Sequence, residues 1–315
     1  GSASLSTDEQ GKKWTLTYTY AQGTGTLNST VKIKSTKNVK GSDYTKDFTL
    51  QFENIADENW PTSYWATSIP NDNGNGVSII KDTDGNYYEV HTFINSGTLS
   101  VNSIPAEGLT ARVLVVAGGG GGGSGSSGSD QGGGGGGGGA GYSENVSLAA
   151  TNYNIIVGSG GNGNSKGNNS SFANITVEGG GKGGLGNRHN STDSNALKGG
   201  DGGSGGGGGA GGGELQGPGG SATSHNEVTG WQFYGGTGDQ SSNGTPGGNG
   251  GSANFSNNIS GTLKEYGKGG IGGGASGNTP AVNGTGNGGK GSDGVGSSGS
   301  NGIVIVRFPA KLNSE

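Results

Sequence analysis

Apolar and polar residues alternate with a period of two along Trp14-Thr15-Leu16-Thr17-Tyr18-Thr19-Tyr20, Thr30-Val31-Lys32-Ile33-Lys34 and Phe48-Thr49-Leu50-Gln51-Phe52. A strand points successive side chains to opposite faces, so this pattern predicts half-buried antiparallel strands, separated at Gly23, Gly25 and Gly41. A β-sandwich is the simplest host, with Trp14, Trp60 and Trp65 in its core. Val77–Ile80 and Tyr87–Val90 flank Asp84-Gly85, a strong hairpin signal. His91-Thr92-Phe93 and Thr98–Val101 flank Asn95-Ser96-Gly97 and predict a second hairpin. Four further apolar runs, Val113–Ala117, Tyr153–Val157, Phe172–Val177 and Ile303–Phe308, read as strands with glycine close to at least one end.

Between these later strands lies a second pattern. The chain has 79 glycines, of which only ten precede Val113. Such composition ordinarily stays disordered, because glycine loses the most backbone entropy on ordering and buries no side chain. The β-branched clusters at both ends and in the middle argue instead for a small sheet that clamps the glycine runs at their base. Gly199, Gly202, Gly205, Gly208 and Gly211 keep a period of three, as do Gly288, Gly291 and Gly294, then Gly296, Gly299 and Gly302. Polyproline II turns once every three residues, so this spacing gives a rod one bare edge against which another can lie. Rods packed so closely can pair their buried N–H and C=O groups with one another. Double glycines such as Gly202-Gly203 and Gly247-Gly248 give two bare edges and suit a rod inside a bundle. The homopolymer runs Gly118–Gly123 and Gly132–Gly139 fit any phase and locate nothing.

The expected organisation is therefore an all-β, β-sandwich-like domain over residues 1–86, a glycine-rich polyproline II helix bundle clamped by a small β-sheet over 87–308, and a tail over 309–315. Gly1-Ser2 resembles the remnant of a cleaved tag, and the lack of methionine suggests part of a longer polypeptide or fibre. With no cysteine there is neither a disulfide framework nor a thiolate metal site. The net charge of −5 is small, and Lys and Arg are scattered singly, which argues against nucleic acid as a partner. No apolar stretch approaches the ~20 residues of a membrane span, so no membrane insertion is expected.

Glycine-rich strings imitate nucleotide motifs. Gly158–Gly163 fits GxGxxG and follows a strand, but Asn164–Asn169 is a poor start for the helix that a dinucleotide site needs. Gly284–Lys290 fits most of a phosphate loop, yet Gly291 stands where a magnesium-binding hydroxyl belongs. Gly288–Gly296 matches a single calcium nonapeptide, a site that requires tandem copies. Asp82–Asn86 opens like an EF-hand loop with its glycine displaced, and a hairpin turn is the better reading. His91, His189 and His225 are scattered, with no nucleophile signature and no metal-ligand spacing. No catalytic residue, metal site or cofactor is expected. Ten Asn-X-Ser/Thr sequons, Asn145 among them, matter only where a host glycosylates them.

Glycine-poor segments interrupt the runs at 143–154, 187–197, 221–234, 252–266 and 275–282. Loops held on rigid scaffolds are where recognition usually sits. The ligand-binding candidates are His225, Trp231, Phe233 and Tyr234, concentrated in an aromatic-poor region, with Phe255 and Tyr266 in the next such segment. Flat rings suit sugar faces and protein receptors alike, and they equally suit a cap on the end of a rod bundle.

Tyr88–Arg307 resembles the glycine-rich domain of phage and bacterial surface proteins. The likeness runs through Val90-His91-Thr92-Phe93, Gly97–Val101, Val113–Gly118, Asn169–Phe172 and Gly302–Arg307. Such domains are similar to the tail-fibre tip adhesins of T-even-type phages, polyproline II sandwiches that present loops to a bacterial receptor. The resemblance implies an extracellular, cell-surface or virion protein that binds a host glycan or surface protein through its loops, and no enzyme. A structural spacer or assembly module is the alternative. An ice-binding protein ranks third, because Lys182, Lys198, Asp201, Lys268 and Lys290 break any regular, weakly polar face.

Overall fold

The computed structural model describes the strands within residues 2–52 and then residues 61–69, 75–126, 130–186, 194–211, 216–223, 228–242, 247–274 and 284–312. The chain forms two compact units, Gly1–Trp60 and Pro61–Glu315. It is mostly β, and α1 (Ser194–Leu197) is its single described helix. In the first unit, β1 (Ser2–Thr7) pairs antiparallel with β2 (Trp14–Thr19), and β3 (Ser29–Val39) with β4 (Ser42–Phe52). The alternating runs are therefore strands, joined in two separate ladders. The Trp14 side chain and Trp60 lie outside the described residues. Trp65 belongs to the second unit, where it is buried.

The second unit is built on two sheets. One orders β14 (Gln232–Tyr234), β10 (Ala140–Leu148), β9 (Leu109–Val116), β17 (Ile303–Pro309), β7 (Tyr87–Phe93) and β6 (Gly76–Lys81). The other orders β13 (Ile175–Val177), β12 (Ser170–Phe172), β11 (Asn152–Ile156), β8 (Gly97–Val101) and β5 (Ala66–Ile69). Residues 61–86 thus contribute β5 and β6 to these sheets, and position 86 falls in the turn of the β6–β7 hairpin. Asp82–Asn86 closes that hairpin, with Gly85 at φ +84° and the Asp82 carbonyl accepting from the Gly85 N–H. The second expected hairpin does not form. Both edges of β7 are taken by β6 and β17, so at Ile94–Ser96 the chain crosses to the other sheet, where β8 lies between β5 and β11.

The face of the six-stranded sheet that meets the five-stranded one carries Phe93, Val113, Val115, Val304, Val306 and Phe308, packed on Leu99, Ile155, Phe172 and Val177. Its other face carries Leu114, Val116, Ile303 and Ile305, roofed by the hairpin of β15 (Phe255–Asn257) and β16 (Lys264–Tyr266). Being covered on both faces, β9 and β17 read as continuous apolar runs rather than alternating ones.

The glycine segments lie outside strand and helix. Successive N–H groups of Gly118–Gly123 donate to Asn168, Ser300, Gly136, Ser165, Ser297 and Gly133, so every third residue returns to the same neighbour. Gly132–Gly139 behaves likewise. It donates in turn to Ser292, Gly184 and Gly248, then to Gly289, Gly181 and Gly251. Its carbonyls accept from three other segments, through Gly120, Gly207 and Gly270 among others. These runs are enclosed on every side, which answers how their buried backbone is paired. None of their glycines has a left-handed φ; what forbids a side chain is space. A Cβ at any of Gly118–Gly123 or Gly132–Gly138 would lie under 3.0 Å from a neighbouring backbone oxygen. The homopolymer runs, which carry no phase in the sequence, therefore mark the centre of the unit.

Outer segments follow the spacing that the sequence displays. Gly296, Gly299 and Gly302 each face an inner carbonyl, of Gly122, Gly119 and Val116, while Val295, Ser297 and Ser298 point to solvent. The series from Gly199 to Gly211 is not one segment. Gly200 and Gly203 donate to Lys182 and Gly179, antiparallel to 178–186, whereas 204–211 runs parallel to it, with Gly181 and Gly184 donating to Ser204 and Gly207. The chain reverses at Gly203-Ser204, and the period of three crosses the reversal.

Candidate functional site

Strand β14 forms one edge of the six-stranded sheet and pairs with only the start of β10, Ala140↔Tyr234 to Tyr142↔Gln232. Beyond Tyr142, β10 has no partner on that side among the described residues, and its register against β9 shifts between Ser143 and Val146. Such a bulge inserts unpaired residues and re-aims their side chains. Here Glu144 and Asn145 are exposed. An open groove of about 390 Å³ follows, lined by Tyr142, Ser143, Glu144, Asn145, Gly230, Trp231 and Gln232.

The loop before β14 sets the groove's other wall. The Trp231 N–H donates to the Val228 carbonyl at 2.9 Å, closing a turn in which Gly230 takes φ +82°. Trp231 stacks on Phe233, with ring centroids 6.4 Å apart and planes 20° from parallel, and both pack against the core between the sheets. On the opposite face, the Tyr234 hydroxyl donates to Gln232 Oε1 at 2.7 Å. Burial pushes the Tyr142 phenol up from its ordinary range, and the opposed charges of Glu144 and Arg112 both act on it.

The aromatic candidates thus separate. Trp231 lines the groove, half-buried, and Phe233 supports it. Tyr234 packs against Phe255 at 4.6 Å. Phe255 and Tyr266 face each other across β15–β16 and are buried in the second core, Tyr266 completely. His225 lies outside the described residues. Glu144, Asn145 and Gln232 were not legible as groove residues; their signals are membership of glycine-poor segments and, for Asn145, a sequon.

Two buried polar clusters also escaped the sequence reading. The Glu89 carboxylate accepts from the Trp65 and Ala66 N–H groups at 2.8 and 3.1 Å and contacts His91 Nε2 at 2.6 Å. Ser68 Oγ meets His91 Nδ1 at 2.5 Å. One nitrogen of a neutral imidazole donates and the other accepts, so the His91 ring can bridge Glu89 and Ser68. The residue types resemble a hydrolase triad, yet all three side chains are buried and Glu89 is committed to backbone N–H groups. The cluster clamps β5 onto β7. In the second cluster, Arg307, 1% exposed, pairs with Asp82 and lies over the Tyr88 ring at 4.0 Å. That guanidinium holds the Asp82 carboxyl below its ordinary range, with the Thr83 N–H adding to the effect.

Gly158–Gly163 leads into a turn at Asn164, φ +65°, and not into a helix. Among the described residues, no helix is long and apolar enough to cross a membrane. No curated protein matches the chain. The model of the glycine-rich domain family matches residues 94–309, from the end of β7 to the end of β17. That span holds most of both sheets and all of the glycine segments, and the chain belongs to the glycine-rich domain family.

Proposed function

We propose that the glycine segments are polyproline II rods, and that the protein is an adhesin of a cell surface or phage tail fibre that binds a host glycan or surface protein through loops held by those rods. The three-residue return of backbone bonds supports the first part, since polyproline II comes back to the same edge every third residue. A bundle whose bare edges meet has no side chains along its interior, which leaves recognition to the loops at its margins. The observation that carries the second part is the open groove beside Trp231, where a rigid flat ring stands next to exposed polar side chains. On this reading the protein works outside the cell, and its partner is a receptor rather than nucleic acid or a membrane.

Labelled full-length chain should bind whole cells of a susceptible species, and Trp231→Ala should abolish that binding while circular dichroism stays unchanged. Unaltered binding rejects the groove, and failure to bind across a broad panel of cells rejects adhesion. A second reading, a stiff spacer or assembly module, draws on the completeness of backbone pairing in the inner segments. It expects self-association in sedimentation experiments without cell binding.

A further inference from the structure

We infer that the groove accepts a neutral pyranose, an uncharged sugar ring with free neighbouring hydroxyls, in preference to a peptide strand or an acidic glycan. The inference rests on the adhesive reading and narrows its ligand.

The competing occupant is a peptide, because among the described residues Ser143–Leu148 of β10 pairs only with β9. Open edges invite strand addition. This one is spoiled twice. The irregularity between Ser143 and Val146 breaks the run of evenly spaced backbone groups that an added strand requires, and Glu144 places a charge on the edge. Both are features by which natural sheets resist pairing.

What remains suits a sugar. Trp231 is held by its stacking on Phe233 and by the turn at Gly230, so little freedom is lost when a ligand covers it. Its flat apolar surface matches the C–H face of a pyranose. Sugar hydroxyls both donate and accept. Glu144 offers two acceptor oxygens to a pair of neighbouring hydroxyls, and the amides of Asn145 and Gln232 supply donors and acceptors together. Among the described residues no cationic side chain lines the groove to hold a carboxylate or sulfate, and an acidic sugar would meet the Glu144 carboxylate. Arg112 lies one strand away, on β9, and is not among the groove's described lining residues. The volume of about 390 Å³ leaves room for a mono- or disaccharide.

The test is a titration of the full-length chain with methyl glycosides of neutral hexoses, sialylated and sulfated glycans, and an extended peptide library, read by tryptophan fluorescence and saturation-transfer NMR. Neutral hexosides should bind. Trp231→Ala should weaken them by about tenfold or more, as truncating a central aromatic contact does, and Trp231→Phe should recover part of the loss. Glu144→Gln, at an exposed position, should weaken them without disturbing the fold, and it decides the matter if Trp231→Ala fails to fold. Binding restricted to acidic glycans or to peptides overturns the inference, as does hexoside binding that neither Trp231→Ala nor Glu144→Gln alters. Cells bound without any hexoside binding would sink the ligand class alone. Hexosides bound at the groove without any cell binding would sink the adhesive reading alone.

Discussion

Replacing Gly135 with alanine adds one methyl group at the centre of the glycine unit and should cost about 2–5 kcal/mol, composed as follows. The Gly135 N–H donates to Gly289 at 2.8 Å, and its carbonyl accepts from Gly270 at 2.7 Å. A Cβ there would fall under 3.0 Å from the backbone oxygens of both Gly120 and Gly121. Those atoms cannot swing aside as the tip of a side chain can, so neighbouring segments must part. Overpacking of this kind costs about 1–3 kcal/mol, and loosening two backbone bonds adds about 1 kcal/mol each. Restricting the unfolded chain returns about 0.4–1 kcal/mol. Gly294→Ala is the control, because its Cβ would meet only Ser292 Oγ at 3.8 Å on an exposed outer segment. It keeps the unfolded-state gain and none of the cost, so it should be neutral or stabilising by about 0.4–1 kcal/mol. Urea unfolding followed by circular dichroism separates the two. Equal midpoints would refute the claim that the homopolymer runs are enclosed, and so would rapid hydrogen exchange of the amides in Gly132–Gly139.

Asp82→Asn should destabilise the second unit by about 2–3 kcal/mol, less than the roughly 3–5 kcal/mol for breaking a fully buried pair, because the Asp82 side chain is 23% exposed. The folded-state pKa of Asp82 is lowered, so its contribution is complete above the ordinary value of 3.8 and is lost as pH falls through the folded value. Thermal melts between neutral and acid pH should show this loss in the parent and a smaller one in Asp82→Asn; parallel curves would refute it. Phe255→Ala should cost about 3–5 kcal/mol as a core truncation, with ligand affinity unchanged in the fraction that remains folded. A normal melting temperature combined with lost binding would return Phe255 to the site.

Much of the strand content was legible because period-two alternation and short β-branched runs are local signals. Val113–Ala117 and Ile303–Phe308 were visible as strands, and their pairing as neighbours, Val304 opposite Val115, is what closes the unit. Pairing itself is not local. The Asn95-Ser96-Gly97 turn looks like a hairpin in sequence, yet the open edges it needed on β7 were occupied by β6 and by a strand more than 200 residues later in the chain. The glycine phase was readable only where a segment has an outer side. Gly296, Gly299 and Gly302 reveal their inward edge because Val295, Ser297 and Ser298 occupy the others. A segment enclosed all round has glycine everywhere and no phase to read, so the most informative run in the structure is the least informative in the sequence.

The same asymmetry governs the site. Trp231, Phe233, Tyr234 and Phe255 are alike in sequence, each an aromatic in a glycine-poor segment, and residue type gives no means of ranking them. Their roles are set by which face of the six-stranded sheet each occupies. Tyr234 falls on the face roofed by the β15–β16 hairpin, where it packs against Phe255 of that hairpin. Trp231 directly precedes β14, and its ring packs on the core while still bordering the groove. The polar wall arises from a one-sided register shift that no single residue announces. Straightening β10 would draw Glu144 and Asn145 back toward the ladder and close the groove. Deleting one residue of the bulge should therefore abolish ligand binding even in a protein that retains Trp231 and all of its glycine segments.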